Sequence, residues 1–157
     1  YPTGLEEISW IIETDPRIKI INKKILYREV IELYKEHDCF ISLHKSEGFG
    51  YGIAENLLIG NEIITTNYSG TNDFCSHSNA YLIEYHKELI GNKYPHSSNN
   101  SVWANPNIIE ASNILKKLVE NNLRKNKFGP NVDLTKRTFR KKIIERIEEI
   151  KEFDARL

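Results

Sequence analysis

The chain is 157 residues long, enough for one domain that buries roughly 68–70% of its unfolded surface. Lysine plus arginine and aspartate plus glutamate both number 22, so no net field draws in nucleic acid, and no nucleic-acid partner is expected. It contains no apolar run of the ~18–20 residues a membrane helix needs, and Cys39 and Cys75 have no metal-ligand spacing.

In chain order, residues 6–12 have the pattern of a helix end, closed by Asp15 and Pro16. "RIKII" (17–21) is short and β-branched, which predicts a strand. Over 27–35, Val30, Ile31 and Tyr34 recur at helical spacing. "CFISL" (39–43) is a continuous apolar run, as in a strand buried on both faces, and it places Cys39 as a buried free thiol. The spacing over 50–59 predicts a helix with Ile53, Ala54, Leu57 and Leu58 turned inward and Gly60 at its end. "EIITT" (62–66) and "AYLI" (80–83) are further strands.

Residues 91–106 are polar and rich in Asn, Ser and Pro, which predicts a loop. Asn105 and Pro106 then make an N-cap and first helical position. The helix behind them carries Ile108, Ala111, Leu115, Leu118 and Val119 on one face. A last helix is expected over about 134–152, with Phe139, Ile143, Ile147 and Ile150 as its stripe and a charged, solvated remainder. Alternating strands and helices imply an α/β fold with a doubly wound parallel sheet, in which ligands bind beyond the carboxyl ends of the strands.

The loop at such an end reads "HKSEGFGYGIAEN" (44–56). Glycines there let backbone turn sharply or approach a ligand, and a following helix N-terminus presents N–H groups and positive dipole to a phosphate. The spacing is not the G-x-G-x-x-G of a dinucleotide site, and the P-loop G-K-[ST] is missing. Glu47 and Glu55 flank the glycines. Carboxylates repel phosphate but accept bidentate hydrogen bonds from vicinal hydroxyls, which suits a diphosphate with a sugar at each end. A nucleotide-sugar has that form. A tight turn without ligand also explains glycines alone.

The stretch "CFISLHKSEGFGYGIAENLLIGNEIITTNYSGTNDF", with the E-x7-E spacing of Glu47 and Glu55 and the later "VWANP" (102–106), resembles the donor-binding half of family-four retaining glycosyltransferases of the GT-B fold. The resemblance covers roughly residues 17–123. It implies a Rossmann-like sheet forming the C-terminal half of a GT-B architecture over 1–157, without the acceptor-binding N-terminal domain. It further implies that Glu47 contacts the donor hexose at the reacting face. Gly48, Phe49 and Gly50 then offer backbone N–H groups, and Glu55 accepts from the ribose. Tyr51 stands where the family often has Leu.

His44 and Lys45 precede the site, His44 as a sugar-pocket lining and Lys45 as a point charge near the diphosphate, each weighed against packing or solvation. Ser69 and Gly70 lie on the same sheet edge, where tight-turn chemistry explains them equally well. Trp103 is read as a loop anchor, and residues 22–24 stand where the base is expected. His77, Glu84, His86 and Glu88 form no metal spacing, and neither metal nor cofactor is expected.

The implied reaction moves a hexose from a nucleotide-sugar to a glycan or lipid-linked acceptor in bacterial surface polysaccharide synthesis. It would occur in the cytoplasm, with the parent protein at the inner face of the membrane. A non-catalytic nucleotide-sugar-binding or scaffolding module is the alternative. The sequence has no methionine, so a longer parent is expected, with these residues alone inactive and weak in donor binding.

Overall fold

The computed structural model describes residues 14–94 and 97–121. The expected helices over 6–12 and about 134–152 lie outside the described residues. Two compact units divide the chain after Ile31.

In the first unit, residues 17–21 form no strand. Their composition favours extended backbone, but a strand exists only through a ladder of hydrogen bonds, and no described strand pairs with them. Ile18, Ile20 and Ile21 are 40–50% exposed. Helix α1 (Tyr27–Glu36), within which the division falls, opens where the Glu29 carboxylate accepts the Leu26 N–H at 2.7 Å, a reach-back that satisfies an orphan donor of the first turn.

The second unit is α/β. Strands β1 (Cys39–Ser42), β2 (Glu62–Thr66) and β3 (Tyr81–Ile83) form a parallel sheet in the order β1-β2-β3, with Ser42 opposite Thr65 and Thr66 opposite Ile83. Helix α2 (Tyr51–Ile59) follows β1, a short 3₁₀ turn (Ser69–Asp73) follows β2, and helix α3 (Ile108–Glu120) ends the described chain.

Successive strand side chains point to opposite faces, and the core divides accordingly. On one face Ile53 and Leu57 of α2 pack with Ile63, Cys75, Ala80 and Leu82, flanked by Phe40 and Phe74. On the other, Ala111 and Leu118 of α3 pack with Ile64 and Ile83. Helices therefore cover both faces of the sheet. All five residues of β2 are buried, so the strand buried on both faces is the central one. β1, read that way from its apolar run, stands at the edge of the described sheet with Ile41 46% exposed.

Residues 85–106 also depart from expectation. Instead of a loop over 91–106, β4 (Tyr85–Leu89) and β5 (Val102–Pro106) pair antiparallel, with Tyr85 opposite Pro106 and Glu88 opposite Trp103. Pro106 tolerates its place because it closes the ladder, where a missing N–H matters least. The cap of α3 moves with it: Asn107, not Asn105, accepts the Glu110 N–H at 3.1 Å, and the helix begins at Ile108.

The inward faces shift as well. Leu58 is 56% exposed, and its place within the arc of α2 is taken by Asn56, 1% exposed. Asn56 Nδ2 donates to the Gly52 carbonyl at 2.8 Å and its Oδ1 accepts from Asn61 at 2.6 Å, so the buried amide is satisfied. On α3, Ala111, Ile114 and Leu118 face the sheet, while Ile108, Leu115 and Val119 stay exposed.

Candidate functional site

The three parallel strands end together, so the loop after β1, the turn after β2 and the hairpin after β3 converge beyond one edge. Hydrogen bonds to main-chain carbonyls join them. His44 Nε2 donates to the Tyr68 carbonyl at 2.9 Å, the Gly70 N–H to the Glu47 carbonyl at 3.4 Å, and the Ala104 N–H to the Lys45 carbonyl at 2.8 Å.

Gly50 is the hinge between loop and helix. Its φ of 82° is left-handed, and an added Cβ would stand 2.7 Å from Thr71 Cγ2. Only glycine meets both demands without strain. No side chain caps α2, and the first bond inside it runs from the Ala54 N–H to the Gly50 carbonyl at 3.0 Å. The N–H groups of Tyr51, Gly52 and Ile53 thus have no partner inside the helix and carry its positive end.

Gly52 answers to packing rather than to a ligand: its missing Cβ leaves room for the Phe40 ring edge, 3.1 Å away, and the Tyr34 hydroxyl, 3.3 Å away. Gly48 differs, since a Cβ there meets nothing within 4 Å. Phe49 is half-buried, its ring 5.2 Å from Phe74 and 5.0 Å from Tyr51, which is itself 73% exposed.

Glu47 and Glu55 are both half-buried. Glu47 Oε1 accepts its neighbour Gly48's N–H at 3.1 Å, folding the carboxylate over the loop. Glu55 lies in the second turn of α2, near Tyr34. Burial, and then the negative charge of Glu55, hold the Tyr34 phenol above its ordinary value.

His44 is half-buried and engaged on both ring nitrogens, since Nδ1 lies 3.5 Å from Thr65 Oγ1 in addition to the Tyr68 bond. With Nε2 donating to a carbonyl, Nδ1 is the acceptor in the neutral ring. Lys45 turns toward the hairpin: its Nζ lies 4.4 Å over the Trp103 ring and 3.6 Å from Glu88 Oε2, the oxygen that also accepts the Trp103 indole N–H at 2.9 Å. Trp103 is a strand residue, with Tyr94 5.3 Å away.

Sequence reasoning left open the weight of Ser69 and Gly70. Ser69 has φ 73°, left-handed and rare for a residue with a Cβ. Its hydroxyl donates to the Glu47 carbonyl and accepts the Glu47 N–H at 3.4 Å. A Cβ on Gly70 would fall 1.6 Å from the Gly48 carbonyl oxygen. The dipeptide Ser-Gly was the available signal, but a turn signal does not say what the turn touches.

Among the described residues no group of three or more His, Cys, Asp or Glu is placed to hold a metal ion, and no helix is long and apolar enough to cross a membrane. The free thiols of Cys39 and Cys75 are pushed up to about 11 and about 12, chiefly by burial. No family model matches the chain, and no curated protein matches it.

Proposed function

We propose that this chain binds a nucleotide-diphosphate sugar and supplies the donor-binding, C-terminal half of a GT-B retaining glycosyltransferase. The observation that carries the reading is the 47–55 segment: an uncapped helix N-terminus at the carboxyl edge of a parallel sheet, with one glutamate before it and one in its second turn. The motif resemblance of "EGFG" and of E-x7-E adds the family.

In this reading the N–H groups at the start of α2 receive the diphosphate and stabilise charge that builds on it as it leaves. Glu55 accepts from the ribose hydroxyls, and Glu47 from the hexose. The open space at Gly48 lets donor approach the backbone. The anomeric carbon–oxygen bond to the diphosphate breaks while an acceptor hydroxyl bonds to the same face of the sugar. The acceptor's proton passes to the departing diphosphate, and configuration is retained. The glycan or lipid-linked acceptor would meet a second domain of a longer parent at the cytoplasmic face of a membrane.

Calorimetric titration of the chain with UDP, GDP, ADP and their hexose conjugates tests it. One nucleotide series should bind. Glu55→Ala should weaken even the bare nucleotide by roughly tenfold or more, the value of a charge-assisted hydrogen bond. Glu47→Ala should weaken only the conjugate. Absence of binding at millimolar concentration to both chain and parent would refute the reading and leave a scaffolding module.

A further inference from the structure

We infer that Ser69 is a positioning residue for Glu47: it touches no ligand, but its hydroxyl sets the backbone from which the Glu47 carboxylate is aimed. The inference rests on the donor-site reading above.

Three observations carry it. First, Ser69 occupies left-handed backbone, φ 73°, where glycine would sit without penalty. A serine there brings something that glycine lacks, and the hydroxyl is the whole difference in polar groups. Second, that hydroxyl spends both of its bonding capacities on one residue, donating to the Glu47 carbonyl and accepting the Glu47 N–H at 3.4 Å. Both peptide units flanking the Glu47 Cα are thereby tied to the turn after β2. Third, the contact has no slack. The Gly48 carbonyl oxygen fills the space of a Gly70 Cβ, and the Gly70 N–H reaches the Glu47 carbonyl at 3.4 Å.

From that fixed backbone the Glu47 side chain folds over the loop, where its carboxylate accepts the Gly48 N–H at 3.1 Å. A carboxylate fixed in this way arrives at a sugar with its orientation already set, which is how preorganisation raises affinity for one part of a ligand. A turn with a purely structural role would need only the left-handed backbone.

Ser69→Gly separates the two. It relaxes the backbone and keeps the turn, but removes the hydroxyl; Ser69→Ala removes the hydroxyl and keeps the strain. Amide hydrogen exchange and UDP, UDP-glucose, GDP and GDP-mannose titrations are run on the wild-type chain and both variants. We expect exchange at the Glu47 N–H to quicken roughly tenfold in both, the loss of about one hydrogen bond, with Ala54 inside α2 unchanged. The preference of wild type for the conjugate over its bare nucleotide should vanish in both variants, with bare-nucleotide affinity held. Melting of Ser69→Gly at or above the wild-type temperature would accompany this. Wild-type exchange at Glu47 and an undiminished sugar preference in Ser69→Gly would overturn the inference. If the wild-type chain and its parent bind none of the four probes, the donor-site reading itself falls, and the role of Ser69 with it.

Discussion

Replacing Gly70 by alanine would place a methyl carbon 1.6 Å from the Gly48 carbonyl oxygen, 2.7 Å from the carbonyl carbon and 3.5 Å from Phe49 Cα. The obstacle is backbone, so no rotamer change relieves it. To reach even 3.0 Å the two segments must part by about 1.4 Å, which breaks the Gly70-to-Glu47 hydrogen bond and strains the Ser69 contacts. Overpacking of this kind costs ~1–3 kcal/mol, and a lost hydrogen bond adds ~0.5–1.5 kcal/mol. The expected destabilisation is about 3 kcal/mol, or a melting temperature lower by roughly 9 °C for a chain of this size. Gly48→Ala is the control. Its Cβ meets nothing and its φ is not left-handed, so its stability should match wild type within about 0.5 kcal/mol. Its affinity for a sugar conjugate should nevertheless fall if ligand approaches there. Thermal melting by circular dichroism, with titration of the matching conjugate, reads both. A Gly70→Ala protein melting within about 2 °C of wild type would refute the close approach of the two loops.

Gly50→Ala combines left-handed strain with a 2.7 Å contact to Thr71 Cγ2 and should lose about 2 kcal/mol in urea unfolding. Asn107→Ala removes the cap of α3 and should cost about 1 kcal/mol by the same assay, whereas Asn105→Ala, on the hairpin, should cost less. For the thiols, burial raises Cys39 to about 11 and Cys75 to about 12 from 9.0. The unfolded chain therefore releases these protons first. Their contribution is full below about pH 9 and is lost as pH rises through about 11 for Cys39 and about 12 for Cys75, by about 1 kcal/mol per thiol at pH 10. Urea unfolding at pH 7.5 and 10, compared with the Cys39→Ala/Cys75→Ala double variant, measures that slope. The native thiols should also react slowly with a disulfide reagent at pH 8 and quickly in denaturant.

Periodicity located the elements whose environment is local to the sequence. α1, α2, β2 and α3 are where the spacing of apolar residues puts them, and the left-handed Gly60 closes α2 as expected. Long-range contacts account for the failures. β4 is too polar to declare itself a strand, and β5 ends on an Asn and a Pro that read as a helix start; they exist by pairing with each other across 12 intervening residues. The segment 17–21 has strand composition but no pairing partner among the described strands. Leu58 reads as core because leucine usually is, yet a buried Asn56 can displace it once its amide is bonded within the helix and to Asn61. In the site, the chemistry-bearing types Glu47, Gly50 and Glu55 were legible at a spacing of a few residues. The engagement of Lys45 with Glu88 and Trp103, and of Ser69 with Glu47, spans 22 to 58 positions of sequence, and no local pattern carries such a signal.

The ties that gather the three loops end on the carbonyl oxygens of Lys45, Glu47 and Tyr68. A carbonyl is supplied by every amino acid, so the side chains at those positions are free to drift without loosening the scaffold. Drift is forbidden where a side chain is the donor, at His44 and Ser69, and at two glycines, 50 and 70. Descent can therefore erase most of the letters around this edge while the shape survives. Kinship in such a chain is better sought in short motifs and backbone geometry than in identity counted along its length.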